Sequence, residues 1–233
     1  MKILSVFSVL IVFFGLSLAA QATTLIDVSC PGGPVGLGCG WSFYGYTVVK
    51  ASGFSLAGAF SNVAIEADLD PGGLNIVAGH AFLTTQIGPG TSASNQVADS
   101  IFSTVNPSGL TTLFSGLTLG AGNYYLVLAK DQLSSGGDYL SSWLFGNPGV
   151  VNIASGTTYL GSLYSSDADV SHVYAPASDF SNMVDISTGG PFNHLFRVSS
   201  SALTPVPEPT TMLLLGSGLI GLAGYGRKKL FRK

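Results

Sequence analysis

Between residues 23 and 204 the apolar stretches are short, and each stops at a cluster of glycine, proline, asparagine or serine. An amphipathic helix needs apolar residues at a 3.6-residue period for several turns, and no such run occurs here. The period that recurs is two, which places alternate side chains on opposite faces of a strand. "SNVAIEADL" sets Val63, Ile65 and Ala67 against Asn62, Glu66 and Asp68 before a turn at "DPGG". "TLIDVSC", "WSFYGYTVVK", "HAFLTTQIG", "DYLSSWLF", "GVVNIA", "TTYLGSLYS", "SHVYA" and "HLFRVSS" read the same way. "TTLFSGLTL", "GAGN" and "YYLVLAK" form the clearest hairpin pattern, whereas "QVADSIFSTV" fits a short helix or a strand equally well.

About ten short strands at this spacing are expected to build an all-β body, a β-sandwich of jelly-roll type. Its core is expected at Val63, Ile65, Phe82, Phe114, Leu126, Leu128, Trp143, Leu195 and Val198. No fixed-period repeat is present, which argues against a solenoid or propeller.

The two ends of the chain are of another kind. Lys2, the apolar run Ile3–Leu18 and the triplet Ala20-Gln21-Ala22 make residues 1–22 a secretory signal peptide, a helix removed after Ala22 by signal peptidase during export. The body is then residues 23–204, in an oxidising compartment. It holds three basic residues (Lys50, Lys130, Arg197) and eleven acidic ones, a charge of −8 against −3 for the whole chain. Nucleic acid is excluded as a partner, because no basic stripe is available to neutralise phosphates.

Cys30 and Cys39 flank "PGGPVGLG", a loop able to turn back on itself, and the compartment favours a disulfide between them. Closing so short a loop is worth roughly 2–3 kcal/mol on the chain-entropy account.

At the other end Pro205, Pro207 and Pro209 keep the backbone extended and unpaired. Residues 210–226 carry no charge, and as a transmembrane helix they would be about 25 Å long, near the short limit for a span. Arg227, Lys228, Lys229, Arg232 and Lys233 follow as a basic stop that stays on the cytoplasmic side.

Val206-Pro207-Glu208-Pro209, the short apolar span and the basic finish, in this order, resemble the PEP-CTERM sorting signal over residues 205–233. The resemblance implies recognition by an exosortase-type membrane transpeptidase with processing at or near Pro207-Glu208-Pro209. It also implies a transient or permanent inner-membrane anchor, a destination at the cell surface or extracellular matrix, and a host that makes exopolysaccharide. The same tail has been labelled an ice-binding protein C-terminal domain. The body has no Thr-x-Thr row of the kind an ice-binding face would use.

Chemistry in the body is sparse. Glu66, Asp68 and Asp70 beside a turn are weak calcium candidates, because no full loop of alternating oxygen ligands follows. His80, His172 and His194 form no zinc motif, and no G-x-S-x-G elbow is present. Trp41, Phe43, Tyr44 and Tyr46 suit core packing better than sugar stacking. The expectation is a non-catalytic surface or matrix protein without a required cofactor. A carbohydrate-binding module, with or without calcium, and then a secreted hydrolase are the alternatives.

Overall fold

A computed structural model describes residues 22–30, 39–44, 49–70, 76–105, 109–129, 141–146, 149–165, 179–183 and 191–201. They fall within one compact unit, Ala22–Ser201. The expected terminal helices, including the span 210–226, lie outside the described residues, as does "SHVYA". Among the described residues no helix is long and apolar enough to cross a membrane.

The strands are β1 (Ala22–Ser29), β2 (Cys39–Tyr44), β3 (Val49–Leu56), β4 (Phe60–Asp70), β5 (Ile76–Thr84), β6 (Gln96–Val105) and β7 (Leu110–Leu119). They continue as β8 (Gly122–Ala129), β9 (Ser141–Gly146), β10 (Val150–Ile153), β11 (Thr157–Ser165), β12 (Ser181–Asn182), β13 (Asn193–His194) and β14 (Phe196–Ser201). "QVADSIFSTV" resolves to β6, where its β-branched and aromatic residues pair with β5 over nearly its whole length.

Two antiparallel sheets result. The eight-stranded sheet runs β10-β1-β14-β4-β9-β13, with β2 added on β9 and β7 on β4, and the six-stranded sheet runs β12-β11-β3-β8-β5-β6. Their facing sides enclose the main core. On β4 the alternation is as expected: Val63, Ile65, Ala67 and Leu69 are buried and the residues between them are not. Phe54, stacked on Tyr124 at 5.6 Å and facing Phe196 at 6.3 Å, joins the two layers.

All nine expected core residues are buried, but not in one place. Phe82 points to the other side of the six-stranded sheet, into a second cluster with Val49, Ala51, Val127 and Ala129. The centre of that sheet is therefore apolar on both faces, which is why β3 shows no alternation in burial.

The expected hairpin at residues 111–130 does not form. β7 pairs with β4 in one sheet, while β8 pairs with β3 and β5 in the other. The segment Gly120–Gly122 is a corner between layers. Gly122 takes φ 152, and the Tyr124 hydroxyl donates back to the Gly120 carbonyl at 3.0 Å. Both strands carry apolar residues, and each buries them in the same core from opposite sides.

β9 is antiparallel to the end of β4 (Leu69↔Trp143, Asp70↔Ser142) and also to β13 (Asn193↔Gly146, His194↔Phe145). It therefore lies across the place where those strands splay apart. Leu195 is the pivot: its N–H donates to the Leu144 carbonyl, and its own carbonyl accepts from the Asp68 N–H and the Trp143 Nε1–H. Trp143 and His194 are thereby fixed at the interior of the bend.

The body enters and leaves at one end. Ala22 pairs with Ser201, Asn62 donates through Nδ2 to Ser201 Oγ, and Ser200 Oγ donates to the Ser61 carbonyl at 2.9 Å. The connections 57–59, 85–95, 120–121 and 154–156 share that end. The strand ends flanking 45–48, 71–75, 106–108, 130–140 and 166–178 lie at the opposite one.

Candidate functional site

The inward row of β3 begins polar and ends apolar: Lys50, Ser52, Phe54, Leu56. Opposite Ser52 in the register stands Ser162 of β11, with their hydroxyls 3.0 Å apart. Residues three apart on a regular strand face opposite ways. A register shift at Gly161, which takes φ 102, breaks that rule and lets Tyr159 reach Ser162, hydroxyl to hydroxyl, at 2.8 Å.

The network has one consistent direction. Tyr159 donates its proton to Asn193 Oδ1 at 3.1 Å, so it must accept from Ser162. Ser162 in turn accepts from the His194 backbone N–H at 2.8 Å and from Ser52. The result is a buried relay Ser52→Ser162→Tyr159→Asn193 joining the two sheets. Burial raises the Tyr159 phenol above its ordinary value, and the Ser162 and Ser52 hydroxyls oppose that rise.

His194 sits beside this relay without joining it through its ring. The imidazole is fully buried and lies flat on Trp143, centroids 4.3 Å apart at 14°. Among the described residues neither ring nitrogen makes a well-formed hydrogen bond. Burial first, then the positive charge of Lys50, pushes its pKa down to about 3, with the Ala51 backbone acting in the opposite direction. Lys50 itself is pushed down to about 8 by burial, and its ammonium lies 5.1 Å from the centre of the Tyr164 ring.

A nucleophile–base pair requires a ring nitrogen within reach of a hydroxyl. Among the described residues Ser162 meets His194 only through the backbone N–H. The relay joins the two sheets through the Tyr159–Asn193 hydrogen bond. Composition gave no sign of it, because serine is abundant everywhere in the chain. The readable signals were a lysine and a histidine inside otherwise strand-like apolar segments.

The expected calcium candidates lie elsewhere. Glu66, Asp68 and Asp70 point outward from β4, alternate residues on one face, and so spread along the strand rather than around a point. Glu66 accepts from Thr112 at 3.3 Å, and the Asp68 carboxyl is raised by burial and then by Asp70. Among the described residues no three of His, Cys, Asp and Glu gather to hold a metal ion.

On the same face Arg197, opposite Glu66 in the register, donates to Asp27 at 3.0 Å. His80, expected at the start of a strand, is in the middle of β5, bonded to Asp99 at 3.1 Å and packed on Phe82.

Cys30 is not a free thiol. The Cys39 backbone pairs with Gly146, and a Cβ placed on Gly149 would be 3.4 Å from the Ser29 carbonyl and 3.6 Å from Gly146 Cα. The two cysteine-bearing segments thus converge on Gly146–Gly149. The side chains of Cys39, Trp41, Phe43 and Tyr44 lie outside the described residues, together with Tyr46 and His172. So do Val206–Pro209 and the basic residues Arg227, Lys228, Lys229, Arg232 and Lys233.

Residues 205–228 match the family model of the PEP-CTERM protein-sorting motif. The chain carries a PEP-CTERM sorting tail. No curated protein matches the sequence, so the PEP-CTERM match concerns the tail and leaves the chemistry of the body to its own residues. The PEP-CTERM segment begins four residues after Ser201, the last residue of β14.

Proposed function

We propose that this is an exported protein, sorted by an exosortase-type transpeptidase to the cell surface or extracellular matrix, whose β-sandwich body binds or scaffolds and does not turn over a substrate. The observation that carries the reading is the sorting motif at residues 205–228. A signal peptide over residues 1–22, a transient membrane helix over 210–226 and a basic cytoplasmic stop complete the export route. Association with exopolysaccharide belongs to the same reading.

The body's construction supports it. Its buried polar groups tie two sheets together, and its last strand ends at Ser201, paired with Ala22 of the first. The sheet-crossing corners β3–β4, β6–β7 and β7–β8 support a jelly-roll-type path. The convergence of the two cysteine segments supports a Cys30–Cys39 disulfide.

The test is fractionation of producing cells with and without their exosortase. The mature protein should reach the surface fraction in the first and accumulate as membrane-bound precursor in the second. Identical distribution in both would remove the sorting reading.

A further inference from the structure

Sheet edges expose rows of unpaired backbone N–H and C=O groups, and proteins guard them with shortness, bulges, proline or lysine. Most edges here are guarded. β10 has four residues and β12 two. β7 is long, but its pairing with β4 is broken by three register shifts, and Gly116 takes φ 72.

β6 is different. It runs for ten residues, Gln96–Val105, without proline, glycine, lysine or arginine. Its pairing with β5 is regular from Ile76↔Val105 to Leu83↔Ala98, and among the described residues nothing pairs with its other side. Its outward row carries Val97, 41% exposed, and Ile101, 53% exposed, the most open of the large exposed apolar residues. The one charge on the strand, Asp99, does not guard the edge. It is held within its own sheet by His80 Nε2 at 3.1 Å and Gln96 Nε2 at 3.0 Å.

We propose that β6 is a self-association edge, pairing antiparallel with β6 of a second copy about a twofold axis at Ile101, so that two six-stranded sheets become one. A second copy is the occupant because the strand is complementary to itself in this register. Ile101 meets Ile101, Asp99 falls opposite the Ser103 hydroxyl, and the two carboxylates stay apart. A register centred on Asp99 would instead set like charges face to face, which is unfavourable. Such an isologous contact closes on itself and yields a dimer. The proposal is independent of how the tail is handled.

The test is sedimentation of the full chain in detergent across a wide concentration range, beside Ile101→Lys and the control Ile153→Lys on β10, equally exposed at 52%. The wild type and Ile153→Lys should dimerise, and Ile101→Lys should weaken the dimer at least tenfold while keeping its β-sheet circular dichroism. In the wild-type background Ile101→Cys should be cross-linked into a dimer by a short thiol-to-thiol bifunctional reagent, since facing Cβ atoms in such a pair lie about 4.5–5.5 Å apart. A monomer at every concentration, a dimer indifferent to Ile101→Lys, or no cross-link from Ile101→Cys would overturn it.

Discussion

His194 lies flat against Trp143 with ring centroids 4.3 Å apart, and among the described residues neither imidazole nitrogen makes a well-formed hydrogen bond. The ring serves as a flat apolar surface, and it must stay neutral to do so. In the folded state its pKa is about 3, against an ordinary value of 6.5 for an exposed histidine. Between these values the unfolded chain holds a proton that the folded chain lacks. Stability therefore rises with pH across that window and is lost as pH falls through it, at up to ~1.4 kcal/mol per pH unit.

His194→Phe keeps the stacking and removes the proton. Urea unfolding from pH 3 to 7 should show a flatter profile than the wild type, with the variant more stable at the acid end. Asp68, whose carboxyl is raised, contributes with the opposite sign in both proteins and cancels in the comparison. Parallel profiles would show that His194 is not the acid-sensitive group.

Much of the fold was legible because burial on a strand follows its period of two. β4 could be read residue by residue, and the nine core positions are all buried. The β7–β8 hairpin was misread because Gly120 and Gly122 suit a tight hairpin and a corner between sheets equally well. Local turn chemistry does not carry the choice of partner strand. Phe82 lies in a second layer because periodicity says which residues share a face, not what that face meets. The Tyr159–Ser162 contact was illegible for a related reason: the two residues are out of phase in sequence, and only the bulge at Gly161 brings them together.

Ser162 is the branch point of the relay, contacting Ser52, Tyr159 and the His194 N–H. Ser162→Ala leaves a buried N–H and a phenol short of partners and should cost about 1–3 kcal/mol. Ser52→Ala removes a terminal donor and should cost less. Denaturant midpoints of the two variants decide it, and equal losses would contradict the branch-point role.

Gly161 occupies φ 102, a region closed to β-branched residues. Gly161→Val should destabilise the body by about 1–3 kcal/mol. It should also raise hydrogen exchange at the His194 amide, which bonds to Ser162. Unchanged protection there would mean that the bulge does not set the relay.

Lys50 is buried with its pKa lowered from 10.5 to about 8, so holding the charge at neutral pH destabilises the folded state. From about 8 to 10.5 the unfolded chain carries a proton that the folded chain has released, and stability should climb with pH. Lys50→Met should be the more stable protein at pH 7, and its advantage should shrink above pH 8 in thermal melts. An advantage independent of pH would place the effect in packing, not charge.

The intact mass of the mature protein from the cell envelope is decisive for the tail. With wild-type Glu208 the mass should correspond to a chain ending at or near Pro207–Pro209, without residues 210–233, plus whatever group the transpeptidase attaches. With Glu208→Ala the chain should retain its C-terminus through Lys233. A wild-type protein at the surface that still carries residues 210–233, or a Glu208→Ala protein trimmed to the same mass, would contradict sorting by this signal.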